Sequence, residues 1–202
     1  VDRPPVAFWR HVPEVDHTAP GLADAMLAFQ RRWDLDLIKV MSSGVYCVED
    51  WGCRVAYQGS PNGAKTCTQH AIQQVSDWAK LKLLDPGQGA LGRELEALRL
   101  IRGGRSDDVP VLHTVFAPLT IARKLAGDRL AGDLRDHPDA VMGALDVIAE
   151  TVIRYGDVRN RHSVYRCSLE TEQQLHNAIR VGDEEKAREI ARESAGQRGS
   201  GR

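Results

Sequence analysis

The sequence predicts an α/β fold with parallel strands and an appended helical end. Three observations predict it. Apolar, β-branched runs alternate with amphipathic helical stretches, and strands separated by helices pair in parallel through those crossovers. The apolar fraction, 42% of 202 residues, is enough to bury the core of one domain. Beyond Tyr155 the strand signals stop, and the chain turns polar and basic, then acidic and helical.

The elements follow in order. The apolar run at residues 6–9, in "RPPVAFWRHVPE", predicts a first strand that ends at a proline-containing loop. Leu22, Met26, Phe29 and Trp33 recur at helical spacing and predict a helix over 21–33. Leu35, Leu37, Ile38, Val40 and Met41 predict a mostly buried strand over 34–41. Residues 42–52, "SSGVYCVEDWG", have loop character, and 53–59 read as one strand of a small hairpin, with Asn62-Gly63 as a turn signal.

Ser76 is a candidate N-cap for a short helix that ends before Pro86. Leu91, Leu95, Leu98 and Ile101 mark the buried face of a helix over 89–104, with Gly103-Gly104 as its stop. Residues 109–116, "VPVLHTVF", form the strongest strand signal in the chain. Helices follow over 118–127 and 137–155, the second with Pro138 in its first turn. Residues 156–195 read as a helical extension, two helices separated by Gly182, and 196–202 as a flexible tail.

Composition excludes several function classes. Net charge is −1, and no long block of like charge argues for nucleic acid or a membrane surface as partner. No run of eighteen apolar residues predicts a membrane span. No basic stretch followed by an apolar one reads as a signal peptide. Cys47, Cys53, Cys67 and Cys167 form no C-x-x-C pair, so reduced thiols in a cytoplasmic protein are expected. Neither Cys47 nor Cys53 has a histidine at zinc spacing, and no metal site or cofactor is expected.

The candidate site residues lie at strand ends. Arg10 and His11 follow the first apolar run, where they read as a binding site or as an ordinary surface end. His113 interrupts an apolar strand and reads as a core histidine or as an acid or base pointing inward. Ser42, Ser43 and Tyr46 follow the second strand, within reach of a substrate if a barrel forms. Ser43 and His113 are the catalytic candidates, and Arg10, His11 and Tyr46 the substrate-binding ones. No base is identifiable for Ser43. Glu49 and Asp50 read as solvated loop acids, and Arg99, Arg102 and Arg105 as cations placed by a helix dipole.

The segments "RPPVAFWRHVP", "FQRRWDLDLIKVM", "VEDWG", "SDWAKLKLLDP" and "VPVLHTVFAPLTIARKLAG" occur in this order. Together they resemble the N-terminal half of the uroporphyrinogen decarboxylase superfamily, over roughly residues 3–155. That superfamily also includes cobalamin- and coenzyme M-linked methyltransferases. The resemblance implies a (β/α)8 barrel, here partial and spanning residues 1–155, with its site at the C-terminal ends of the strands. It places Arg10 on the lip of strand one, facing an anionic small molecule.

The chain departs from the decarboxylase pattern. The second arginine of the segment after strand one falls at Glu14, the catalytic aspartate at Ser43, and the tyrosine near Lys124. A serine cannot supply the negative charge that stabilises a protonated pyrrole. The family's late histidine, and the zinc ligands of its methyltransferase branch, belong to strands beyond the matched part. The C-terminal segment "YRCSLETEQQLHNAIRVGDEEKAREI" is similar to a helical segment of AraC-type and GntR-type regulators.

Two readings stand. One is an enzyme or former enzyme that binds an anionic small molecule or methyl carrier and lacks full decarboxylase activity. The other is a truncated or fused, non-catalytic binding or assembly module. About three or four strands cannot close a barrel, so open parallel edges are expected to favour a homodimer or coverage by the C-terminal helices.

Overall fold

A computed structural model of the chain describes residues 6–105 and 109–161. The order of elements is α1 (Ala19–Trp33), β1 (Ile38–Lys39), α2 (Tyr46–Glu49), β2 (Arg54–Tyr57), β3 (Lys65–Gln69), a 3-10 turn (Val75–Lys80), α3 (Gly89–Gly104), β4 (Val111–Leu112), α4 (Pro118–Ala126), α5 (Arg129–Asp136) and α6 (Pro138–Arg161). The chain forms two compact units, Val1–Gly156 and Asp157–Arg202. The elements from α1 to α5 and most of α6 belong to the first unit. The two helices expected around Gly182, the regulator-like segment and the tail lie outside the described residues.

Helix α1 starts where Thr18 accepts a hydrogen bond from the Gly21 N–H and Pro20 opens the first turn. Its apolar stripe, Leu22, Ala23 and Met26, meets Ala97 and Ile101 of α3 over Ile38, Val40 and Met41. That cluster is the core against which the parallel strands lie. Strands β1 and β4 pair in parallel, Ile38 with Val111 and Lys39 with Leu112. The Val40 N–H extends the pairing by donating to the Leu112 carbonyl at 2.8 Å. The α/β class with parallel strands therefore holds. Among the described residues the parallel sheet has two strands, fewer than the partial barrel expected.

Residues 53–59 do enter a hairpin, as β2. It pairs antiparallel with β3, from Arg54 opposite Gln69 to Tyr57 opposite Lys65. Gly63 sits in the connecting turn at φ +76°, where a Cβ would meet the His11 carbonyl at 2.7 Å.

Three expectations need correction. Residues 6–9 form no strand, and Phe8 and Trp9 are 63% and 55% exposed. The run has one backbone bond to a neighbour, from Asp36 N–H to the Val6 carbonyl, instead of a ladder. Residues 42–52 are not all loop, since α2 lies within them. Ser76 does not cap the 3-10 turn. Gln74 does, with Asp77 Oδ2 accepting from the Gln73 and Gln74 N–H groups. Between the two expected helices lies a further one, α5, pinned by Asp133. Its carboxylate accepts from the Trp78 indole at 2.7 Å and from Arg129 at 2.8 Å.

Among the described residues, no helix is long and apolar enough to cross a membrane.

Candidate functional site

Parallel pairing sets the C-terminal ends of β1 and β4 side by side. Past those ends the chain reads Val40, Met41, Ser42 on one strand and His113, Thr114 on the other. Glu94 reaches the same place from α3. Ser42 Oγ lies 2.5 Å from Glu94 Oε2 and 3.2 Å from His113 Nε2. His113 Nε2 lies 3.8 Å from Glu94 Oε2. All three residues are buried, Glu94 completely.

The proton positions follow from the donor inventory. An ionised carboxylate only accepts, so the single Ser42 hydroxyl proton goes to Glu94. The Ser42 oxygen then accepts from His113 Nε2–H. In the neutral ring this leaves Nδ1 bare. His113 Nδ1 is buried and has no hydrogen-bond partner among the described residues. Leaving such a group unpaired costs about 1–3 kcal/mol. A serine-nucleophile triad has its acid on the far ring nitrogen, whereas here Glu94 meets Ser42 and the Nε2 side and Nδ1 has no partner among the described residues. The arrangement is an imidazole held through Nε2, with Nδ1 unpartnered among the described residues.

Charge around Glu94 is balanced by Arg93. Its guanidinium is bidentate to Glu49, at 2.9 and 3.2 Å, and its Nε lies 3.6 Å from Glu94 Oε1. Tyr46 flanks the group on the other side. Its ring centroid is 5.6 Å from that of His113 and 6.2 Å from that of Tyr155, and its hydroxyl donates to the Thr114 carbonyl at 3.0 Å. Burial first, then Tyr155, Cys47 and Glu94, pushes the Tyr46 phenol far above its ordinary range, so it stays a neutral donor. Burial likewise pushes the Cys47 thiol up to about 12. Lys39 closes the edge by hydrogen-bonding Thr114 Oγ1, and burial lowers its ammonium below the usual lysine value. A cleft of about 280 Å3, its solvent-open part included, lies between Tyr46, Trp51, Phe116, Ile121 and Tyr155.

Of the residues singled out from the sequence, the structure brings His113 and Tyr46 together. Arg10 is exposed, with its backbone N–H directed at Met41 Sδ at 3.1 Å, one residue before Ser42. His11 packs edge-on to Trp9 at 5.2 Å, and its N–H donates to the Asn62 carbonyl. Among the described residues, no hydrogen bond or ion pair joins the Arg10 or His11 side chain to the Ser42–Glu94–His113 group. Ser43 is buried and its Oγ accepts from the Val45 N–H at 3.4 Å, so it shapes the turn into α2. Its neighbour Ser42 makes the polar contacts instead.

Glu49 and Asp50 are not idle loop acids. Glu49 pairs with Arg93, and the Asp50 carboxylate accepts from the Ala90 and Leu91 N–H groups, capping α3. Glu94 escaped the sequence reading, although a signal for it exists. It stands between Leu91, Leu95 and Leu98 on the buried stripe, where a carboxylate is rare unless paired.

Glu14 and Lys124 are two of the positions that depart from the decarboxylase pattern. Glu14 is exposed, and the Lys124 ammonium lies over the Phe116 ring, 4.8 Å from its centroid.

A polar group beyond the C-terminal ends of parallel strands, supplied in part by a crossover helix, is the site arrangement of α/β barrel-type proteins. The chain belongs to the uroporphyrinogen decarboxylase (URO-D) family, whose model matches residues 3–162. Two curated relatives are named methylcobamide:CoM methyltransferase MtbA. The Methanosarcina mazei protein is 24% identical over 149 residues, and the Methanosarcina acetivorans protein 22%. Each match covers 74% of this chain and 43% of the relative, so the chain spans less than half the length of the relatives it matches. A solved methyltransferase from Methanosarcina mazei shares the fold, with a TM-score of 0.67 and 21% identity, over 80% of this chain and 52% of that one.

Proposed function

We propose that this chain carries a ligand site of the methyltransferase branch of the family, taking an anionic small molecule at the C-terminal ends of β1 and β4. The observation that carries the reading is the buried Ser42–Glu94–His113 group just past the strand ends, in which His113 Nδ1 has no hydrogen-bond partner among the described residues. Ser42 and Glu94 hold the ring beneath the strand ends, and the anion docks above it, where binding changes the surroundings of the imidazole. Tyr46 orients the ring and lines the approach. Arg10 and Lys39 supply positive charge at the rim, while Arg93 offsets the carboxylate beneath.

Decarboxylation of a tetrapyrrole fits this site poorly. Glu14 would repel a substrate carboxylate, and Ser43 offers no charge to a cationic intermediate. The names of the relatives specify methyl transfer between a methylcobamide and CoM. CoM is accordingly the probe of choice.

The test is a titration of the full chain, with its histidine side chains nitrogen-15 labelled, by CoM. Saturable movement of the His113 imidazole signal is expected, with affinity falling about tenfold or more in an Arg10→Ala variant. Movement confined to other histidines, or none, contradicts the reading.

A second reading, an assembly module, is supported by the sheet itself. Among the described residues β1 and β4 pair only with each other, so each keeps an open edge. A homodimer formed through those edges predicts a mass that doubles with concentration in analytical ultracentrifugation. A monomer across the whole range excludes it.

A further inference from the structure

Spacing along the sequence sets Cys47 beside Cys53 and offers neither a histidine. Folding makes a different association. Cys53 immediately precedes β2, Cys67 lies within β3, and His70 immediately follows it. Antiparallel pairing places Arg54 opposite Gln69. The three residues therefore meet at the open end of the hairpin, away from its Asn62-Gly63 turn. One ligand atom from each, two Sγ and an imidazole nitrogen, lie within 4.8 Å of one another.

That spacing is close to a coordination sphere. Zinc–sulfur bonds of about 2.3 Å at a tetrahedral centre put two sulfurs about 3.8 Å apart. The remaining gap is about 1 Å or less, within reach of a small side-chain rotation. Cys67 and His70 also stand three apart in sequence, a chelating spacing common in zinc sites.

The imidazole is already seated. His70 Nδ1 lies 2.9 Å from the Lys124 carbonyl, and a backbone carbonyl on one ring nitrogen is the usual support of a metal-bound histidine. Cys53 Sγ lies 3.9 Å from the same carbonyl. Gly127, at φ +61°, makes room for the ring, because a Cβ there would come within 2.7 Å of His70 Nε2. None of these residues belongs to the Ser42–Glu94–His113 group, and among the described residues no carboxylate joins them. Two thiols and an imidazole select a soft ion over magnesium or calcium.

We propose that Cys53, Cys67 and His70 form a binding site for a zinc-class divalent ion, with a fourth position open to solvent. Cys53 is buried while Cys67 and His70 are half-buried, so the site has one wet face where water completes the sphere. Each thiol gives its proton to solvent as the ion binds. The bound ion ties both strands of the hairpin to the end of α4 through His70.

The test uses the full chain, stripped with chelator and kept reduced by a phosphine, titrated with cobalt(II) and then zinc(II). One equivalent of cobalt should produce a thiolate-to-cobalt absorption band, and zinc should displace it. Cys67→Ser and His70→Gln should lose the band, while Cys47→Ser should keep it. Circular dichroism of the partly exposed His70→Gln variant separates loss of a ligand from loss of the fold. Absence of the band in the reduced chain, or equal binding by Cys67→Ser, overturns the proposal. So does a chain that binds no metal when reduced but forms a Cys53–Cys67 disulfide in air, which would make the pair a redox couple.

Discussion

The parallel pair β1–β4 has two residues in each strand and lies on the core built by α1 and α3. The hairpin β2–β3 has four and five residues, and most of them face solvent. A parallel pair cannot form locally. Its partners are separated by the whole stretch that holds the hairpin and α3, so packing must bring them together. A hairpin closes through a short turn and its own ladder. The difference decides the fate of polar atoms in each region. Those at the end of the parallel pair are trapped in the core and must satisfy one another, as Ser42, Glu94 and His113 do. Those of the hairpin keep water, so thiols and an imidazole can gather there with one side open.

Substitutions of graded severity probe this contrast. Ile101 is fully buried between the helices that carry the parallel pair, and Ile101→Ala should cost about 3–4 kcal/mol in denaturant unfolding. Tyr57 is 45% exposed on the hairpin, and Tyr57→Ala should cost less than about 1 kcal/mol. Equal costs would remove the distinction.

Removing the buried carboxylate comes next. Glu94→Ala strands Ser42, His113 and part of Arg93, and should cost about 3 kcal/mol, whereas Glu94→Gln keeps an acceptor for Ser42 and should cost less. The order of the two unfolding midpoints checks this. Asp50→Ala removes the cap of α3 and should cost about 1 kcal/mol by the same assay.

The smallest effect is a dependence on pH. The Arg129 guanidinium, with help from the Trp78 indole, holds the Asp133 carboxyl below the usual carboxylate range. A depressed folded value means that the stabilisation is present above the unfolded carboxylate pKa. It is lost as pH falls through the folded one. Asp133→Asn should therefore flatten the acid limb of a stability profile and leave its alkaline limb unchanged. Trp78 fluorescence reports it directly, because that indole is buried against Asp133.

Much of the frame was legible in the sequence. The stripes Leu22–Met26 and Leu91–Leu95–Ile101 gave α1 and α3, because one buried face recurs at helical spacing. The apolar runs at 34–41 and 109–116 located β1 and β4, although only two residues of each form the ladder. Apolar character alone misled at residues 6–9, where among the described residues no strand lies alongside to complete a ladder. Strand β3, "KTCTQ", was invisible because its residues are mostly polar and its pairing is set by the turn.

At the site, His113 stood out as a histidine in an apolar strand, but its holders could not be read from spacing. Ser42 and Glu94 are 52 positions apart and meet only through the fold. Of the hairpin cluster, only the Cys67–His70 spacing could be read from the sequence. Cys53 reaches Cys67 and His70 only once β2 and β3 pair.

The functional reading stands on Ser42 and Glu94 holding His113 through Nε2, with Nδ1 unpartnered among the described residues. Long-range hydrogen–nitrogen correlation spectra of the His113 ring, taken at a pH where it is neutral, probe this hold at the atom concerned. The tautomer protonated at Nε2 is expected, lost or mixed in a Ser42→Ala variant. A ring protonated at Nδ1 in the unaltered chain would refute the hold.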